Sequence, residues 1–218
     1  MRIASEGYHI IAIGFLLFLA FVLLLVITGQ RLFAYPSIAA LIFDSFALFF
    51  FRDPIRIPSR FENAVLSPAD GKIIAIDNRV PSYFKGYKNR LSIFLSMLDV
   101  HINRLPIGGH VERVEYHHGK FVPAFSEKAS EVNEHTVIEI ANSHGSIGFC
   151  QRAGTIARRI VCRLKKGDNL QAGEKFGMIL FGSRVDIYMP DNVTILAHLG
   201  QRIRAGESII GEFEENES

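Results

Sequence analysis

Two adjacent residues offer an unusual reaction. In Phe181-Gly182-Ser183-Arg184, the Ser183 hydroxyl lies next to the carbonyl carbon of Gly182. Glycine has no side chain to block attack and tolerates unusual backbone angles. Attack would shift the acyl group from nitrogen to oxygen. Elimination then breaks the ester and leaves dehydroalanine, and loss of ammonia leaves a pyruvoyl group. Its ketone can form a Schiff base with an amine and accept the electrons released as carbon dioxide departs, an electron-sink role. Alone, Gly-Ser is a weak signal, because serine after glycine is common in turns. No Gly-x-Ser-x-Gly elbow is present, and Gly145-Ser146-Ile147-Gly148 has the wrong spacing for one.

The acid–base candidates are few. Asp70 stands in Ser-Pro-Ala-Asp-Gly at 67–71, where Asp-Gly also reads as an ordinary turn pair. His101 is a plausible proton donor near neutral pH, or a core histidine. The other histidines lack metal-ligand spacing, and no metal is expected. Cys150 and Cys162 form no C-x-x-C and read as buried reduced thiols. Arg158 and Arg159 are candidates to pair with a phosphate or carboxylate, although strand alternation would turn only one of them inward.

Short β-rich segments must position these groups. From residue 62 onward, apolar runs at 71–77, 91–97, 111–116, 136–141, 159–164, 176–181, 184–189 and 193–198 are separated by Gly, Pro, Asp or Asn. This spacing predicts a mainly β domain, a barrel or sandwich. An internal echo sharpens it. Gly-Asp-Asn-Leu-Gln-Ala-Gly at 167–173 matches Gly-Gln-Arg-Ile-Arg-Ala-Gly at 200–206, and one extra residue follows in the second copy. Two copies are too few for a solenoid. They suit a pseudo-symmetric half-barrel like that of biotinyl or lipoyl carriers. Such carriers modify a lysine between the two halves, but residues 176–199 contain none and hold Gly182-Ser183 instead.

Residues 1–60 differ in kind. Residues 10–27 are an unbroken apolar run, nearly long enough to span a bilayer as a helix, with no small-x-small cleavage site after it. Residues 35–51 form a second stretch containing Asp44. A carboxylate at mid-bilayer costs roughly 2.5–3.5 kcal/mol. This stretch therefore spans with Asp44 shielded or protonated, or re-enters without crossing. A transmembrane helical hairpin is expected. Arg2 lies before it and Arg52, Arg56 and Arg60 after it, which puts both ends on the cytoplasmic side of the cell membrane. The loop at 83–90 mixes Tyr, Phe, Lys and Arg, and reads as an ordinary exposed loop or one that dips into the lipid interface. A net charge of +2 and the lack of a basic run argue against nucleic acid.

Several motifs in order carry a resemblance. They are Phe-Phe-Arg-Asp-Pro at 50–54, Ser-Pro-Ala-Asp-Gly at 67–71, and Leu-Ser-Met-Leu-Asp-Val-His-Ile-Asn-Arg-Leu-Pro at 95–106. Ala-Ser-Glu-Val-Asn-Glu at 129–134 and Ala-Gly-Thr-Ile-Ala-Arg-Arg-Ile at 153–160 follow. Lys-Gly-Asp at 166–168, Glu-Lys-Phe-Gly-Met-Ile at 174–179 and Phe-Gly-Ser-Arg-Val-Asp at 181–186 complete them. From about residue 35 the chain resembles the short, pyruvoyl-dependent phosphatidylserine decarboxylases. That resemblance implies cleavage between Gly182 and Ser183, giving a large β chain of residues 1–182 and a small α chain of residues 183–218. The α chain is capped by a pyruvoyl group made from Ser183. The implied reaction converts phosphatidylserine in the membrane to phosphatidylethanolamine. Residues 61–218 would form the catalytic domain.

The resemblance also implies roles for two residues. Asp70 matches an aspartate assigned to self-processing. Long-form relatives carry D-x-H-x-x-H-x-P, and this chain has Asp99-Val100-His101-Ile102-Asn103-Arg104-Leu105-Pro106. His101 matches the histidine linked to decarboxylation, while Arg104 replaces the processing histidine. Either His101 serves both steps or Ser183 is activated differently, and decarboxylation alone is the favoured role. The competing readings are a membrane-tethered carrier-like or adaptor barrel without catalysis, and a pyruvoyl decarboxylase of a soluble amino acid.

Overall fold

The computed structural model describes residues 2–59, 61–119, 133–154, 159–180 and 183–214. The chain divides into two compact units, Met1–Ile55 and Arg56–Ser218.

The first unit is a helical hairpin. Helix α1 (Tyr8–Thr28) ends at Gly29, whose left-handed backbone (φ 66°) lets its N–H cap Leu25 O. Helix α2 (Ala34–Phe50) returns beside it. Both helices are long and apolar enough to cross a membrane. They meet where α1 has no side chain: a Cβ at Gly14 would collide with Asp44 Oδ1. Asp44 is thus buried against α1 and shielded from the surroundings. The open end is tied by strands β1 (Arg2–Ile3) and β2 (Arg52–Asp53), with Ala4 N–H donating to Phe51 O at 2.8 Å.

The second unit is built of antiparallel strands: β3 (Ala64–Leu66), β4 (Gly71–Asp77), β5 (Asn89–Leu95), β6 (Ile102–Arg104), β7 (Gly109–His117), β8 (His135–Asn142), β9 (Gly145–Arg152), β10 (Ile160–Cys162), β11 (Asn169–Leu170), β12 (Lys175–Ile179), β13 (Ser183–Met189), β14 (Val193–Ile195), β15 (Arg202–Ile203) and β16 (Ile209–Phe213). Eight of them form one sheet in the order β11-β7-β8-β9-β13-β5-β4-β15, which does not close on itself. Two three-stranded sheets, β10-β12-β6 and β14-β16-β3, complete the unit. The main core takes Val185, Ile187 and Met189 from one face of β13, with Ile93, Phe149, Leu105 and Ile179. The other face of β13 turns Tyr188 toward a smaller cluster of Phe84, Val137 and Cys150. A strand covered on both faces loses the apolar–polar alternation of a half-exposed one.

The aromatics of the 83–90 loop belong to that smaller cluster. Phe84 is buried, and Tyr83 and Tyr87 pack beside it. They cover the sheet instead of pointing outward.

The strands repeat with a two-fold relation. Leu66 N–H donates to Pro106 O at 2.8 Å and Arg104 N–H to Pro68 O at 3.0 Å, so two equivalent segments grip each other. Each then exchanges bonds with an Ala-Gly turn. Gly206 N–H donates to Ser67 O and Ser67 N–H to Ser208 O; likewise Gly173 N–H donates to Leu105 O and Leu105 N–H to Glu174 O. Gly173 and Gly206 are both left-handed, at φ 76° and 72°. β16 lies on β3 as β12 lies on β6, with a ladder irregularity at the same place in each. β4 lies between β15 and β5 as β7 lies between β11 and β8. β9 and β13 pair across the centre, with Phe149 opposite Ile187. The two copies of the sequence echo are therefore the two turn-bearing hairpins of this repeat.

Candidate active site

The repeat has two ends, and Ser183, His101 and Asp70 belong to one of them. Ser183 opens β13 opposite Leu95 of β5. It shares its face with Val185 and Ile187, toward the main core. Ser183 is fully buried, and its Oγ has no hydrogen-bond partner among the described residues. A buried hydroxyl without such a partner costs free energy and calls for an explanation. Gly182 lies outside the described residues.

His101 immediately precedes β6. Its carbonyl accepts from Ile179 N–H at 3.2 Å, and Ile102 lies opposite Met178. The imidazole is fully buried. Asp70 lies just before β4, two strands from β13, a backbone separation of about 10 Å. Its Oδ1 accepts from Ala205 N–H at 2.8 Å and its Oδ2 from Arg56 at 2.8 Å. The Asp70 loop reaches β6 through Pro68 O, which accepts from Arg104 N–H. Ser183, His101 and the Asp70 loop are thus gathered at one end of the domain. Arg104, in place of the long-form histidine, is buried and donates from its guanidinium to Gly173 O at 3.0 Å.

The repeat supplies a twin of this end. By its hydrogen bonds, Gly145 opposite Asn142 corresponds to Ser183 opposite Leu95. Asn63, whose carbonyl accepts from Phe213 N–H, corresponds to His101, and Gly108 corresponds to Asp70. At the twin end a cleft of about 630 Å³ opens between Phe61, Gly108, Asn142 and His144. Ser59, Glu62 and Ser143 also line it, but glycines stand at the positions that Ser183 and Asp70 hold at the other end.

A charged cluster lies on the reverse face of β13, which the sequence reading did not anticipate. Asp186, fully buried, accepts from Arg152 at 2.5 Å, from Arg184 Nη2 at 3.0 Å and from Ser92 Oγ at 2.6 Å. Burial, the largest influence, pushes the Asp186 carboxyl up. The two guanidiniums and the Ser92 hydrogen bond outweigh it and hold the carboxyl below its ordinary value. Arg152 also donates to the Tyr83 and Tyr188 hydroxyls, each at 3.1 Å. His135, opposite Arg152 on β8, is pushed down to about 4 by burial and by the Arg152 charge. Its ring stacks on His117, with centroids 4.9 Å apart. The Arg-x-Asp spacing of Arg184 and Asp186 on one strand face was the available signal. Of the arginines singled out from sequence, Arg159 is exposed and Arg158 lies outside the described residues. Parts of the motifs at 129–134 and 153–160 also lie outside them, as does Arg60. Both cysteines are free, and burial pushes Cys150 up to about 12. Among the described residues no group of three or more His, Cys, Asp or Glu is placed to hold a metal.

The phosphatidylserine decarboxylase profile matches residues 43–211. The phosphatidylserine decarboxylase proenzyme of Ehrlichia ruminantium (strain Gardel) is 42% identical over 218 residues, covering 98% of this chain and 92% of the relative. That of Geotalea uraniireducens (strain Rf4) is 42% identical, covering 96% and 95%. That of Pelodictyon phaeoclathratiforme (strain DSM 5477 / BU-1) is 44% identical, covering 77% and 79%. Ser183, His101 and Asp70 lie within the matched residues, and the protein belongs to the phosphatidylserine decarboxylase family.

Proposed function

We propose that this chain is a membrane-anchored proenzyme that cleaves itself between Gly182 and Ser183 and then decarboxylates phosphatidylserine to phosphatidylethanolamine. The observation that carries this reading is Ser183. A serine hydroxyl is fully buried without a hydrogen-bond partner among the described residues, in the family's processing motif. Ser183 Oγ attacks the Gly182 carbonyl carbon, and the acyl group moves from nitrogen to oxygen. Elimination frees the Gly182 carboxylate and leaves dehydroalanine, and addition of water with loss of ammonia completes a pyruvoyl group at the head of the α chain. When formed, this group supplies the electron sink for loss of carbon dioxide from an amine substrate. β13 would hold it, paired to Leu95 of β5 and followed by the anchored Arg184. His101 holds the proton that replaces the departing carboxylate on the substrate carbon. Asp70 serves self-processing.

The twin end supports these assignments. It forms the same turns and ladders with Gly145, Asn63 and Gly108, so the fold does not require Ser183, His101 or Asp70 at those positions. The half-repeats also support a barrel-sandwich arrangement related to carrier domains. The two apolar helices support a lipid substrate over a soluble amino acid, and the basic residues at their open end support a catalytic domain on the cytoplasmic side of the cell membrane.

The test is a mass spectrum of the purified protein with a decarboxylation assay on phosphatidylserine vesicles. Two chains, 1–182 and a pyruvoyl-capped 183–218, with carbon dioxide release, are expected. An intact chain after incubation would remove the mechanism. A split chain active only on free serine would remove the lipid substrate.

A further inference from the structure

The processing end departs from its twin by two acidic groups, and one arginine joins them. Asp70 stands where the twin has Gly108. Glu207 lengthens the second Ala-Gly turn: one residue separates Gly206 from Ser208, whereas Gly173 runs directly into Glu174, the equivalent of Ser208 by hydrogen bonding. Arg56 donates to Asp70 Oδ2 and to Glu207 Oε2, each at 2.8 Å, and its side chain is only 9% exposed. It comes from the stretch preceding β3, outside the repeated strands.

We propose that Arg56 is a positioning residue for self-processing, fixing the Asp70 carboxylate by bridging it to Glu207; this rests on the reading of Asp70 as a self-processing group. The frame around Asp70 exists without it. A Cβ at Gly108 would stand 3.0 Å from Ala172 N, the twin of the Ala205 N–H that Asp70 accepts. The turn therefore needs neither the carboxylate nor an arginine. Ala205 N–H holds one oxygen of the Asp70 carboxylate, a charged donor from Arg56 holds the other, and Glu207 fixes the arginine in turn. A buried guanidinium facing two carboxylates also offsets the cost of bringing them close together.

The experiment follows chain splitting in the full-length protein in membranes, beside decarboxylation per split chain. Arg56→Ala is expected to slow splitting by at least about tenfold, with a smaller deficit in turnover per split chain. Arg56→Lys should keep part of the rate, and added methylguanidinium should restore splitting in Arg56→Ala. Glu207→Gln should slow splitting less, since Asp70 keeps its guanidinium. Wild-type splitting in Arg56→Ala, beside an Asp70→Asn protein that fails to split, overturns the proposal and leaves the Asp70 reading intact. Normal splitting in Asp70→Asn overturns the reading beneath it. Equal losses in splitting and turnover in Arg56→Ala, with no response to methylguanidinium, reduce Arg56 to a packing residue.

Discussion

The two ends of the β-strand unit share a frame and differ in what the frame carries. Both have an x-Pro-x-x-Gly turn, a left-handed Ala-Gly turn and the same cross-strand bonds. One end carries Ser183, His101, Asp70, Glu207 and Arg56. The other has Gly145, Asn63, Gly108 and a tighter turn. The ionic cluster follows the same division, since Arg184 and Asp186 of β13 correspond to Ser146 and Gly148 of β9. The twin therefore acts as an internal control. What both ends share belongs to folding, and what one end adds is a candidate for function.

The largest effect expected from breaking this difference is at Ser183. Ser183→Ala reduces the position to a methyl group, close to the twin's glycine, and should remain a single chain without decarboxylase activity. Gel analysis of the purified variant checks this, and splitting after Gly182 in it would contradict the chemistry. His101→Ala should still split but lose about 10²–10⁴-fold in turnover, the usual worth of a general acid or base. A time course of splitting beside carbon dioxide release separates its two possible roles. Accumulation of intact chain would assign His101 to processing as well.

A third change tests the added charges as structure. Arg152→Met leaves Asp186 with Arg184 and Ser92 but removes a fully buried partner. Breaking such a pair costs about 3–5 kcal/mol, and the remaining guanidinium puts the expected loss near the lower value. Denaturant unfolding of the solubilised protein measures it. A loss under about 0.5 kcal/mol, the range of ordinary surface changes, would show that the cluster serves no stabilising role.

Much of this was legible in the sequence, for reasons that differ along the chain. Strand β4 was readable to its ends because Gly71 opens it and its apolar run at 73–76 is bounded by Lys72 and Asp77. The echo at 167–173 and 200–206 was readable because a turn with positive φ needs glycine at Gly173 and Gly206. Strand β9 was not. It lies outside every predicted apolar run, and Gly148 is a strand glycine because the Phe84 ring occupies the space a Cβ would fill. A residue far along the chain set that choice. Ser183, His101 and Asp70 were singled out through ordered motifs, whereas their gathering at one end depends on the reciprocal grip of the segments around Leu66 and Arg104. The Arg56 bridge gave no local signal, because its partners lie at Asp70 and Glu207.

The smallest expected effect tests the control itself. Asn63→His installs at the twin end the residue that His101 provides at the other. Asn63 is only half-buried, its carbonyl bond to Phe213 N–H does not involve the side chain, and Gly145 supplies no nucleophile nearby. Stability should therefore change by less than about 0.5 kcal/mol, as for a surface substitution. Splitting and turnover should stay at wild-type values. Denaturant unfolding and the splitting time course measure both on one preparation. A large loss of turnover in Asn63→His would mean that the twin end takes part in the reaction, and the division between frame and function drawn from the repeat would fail.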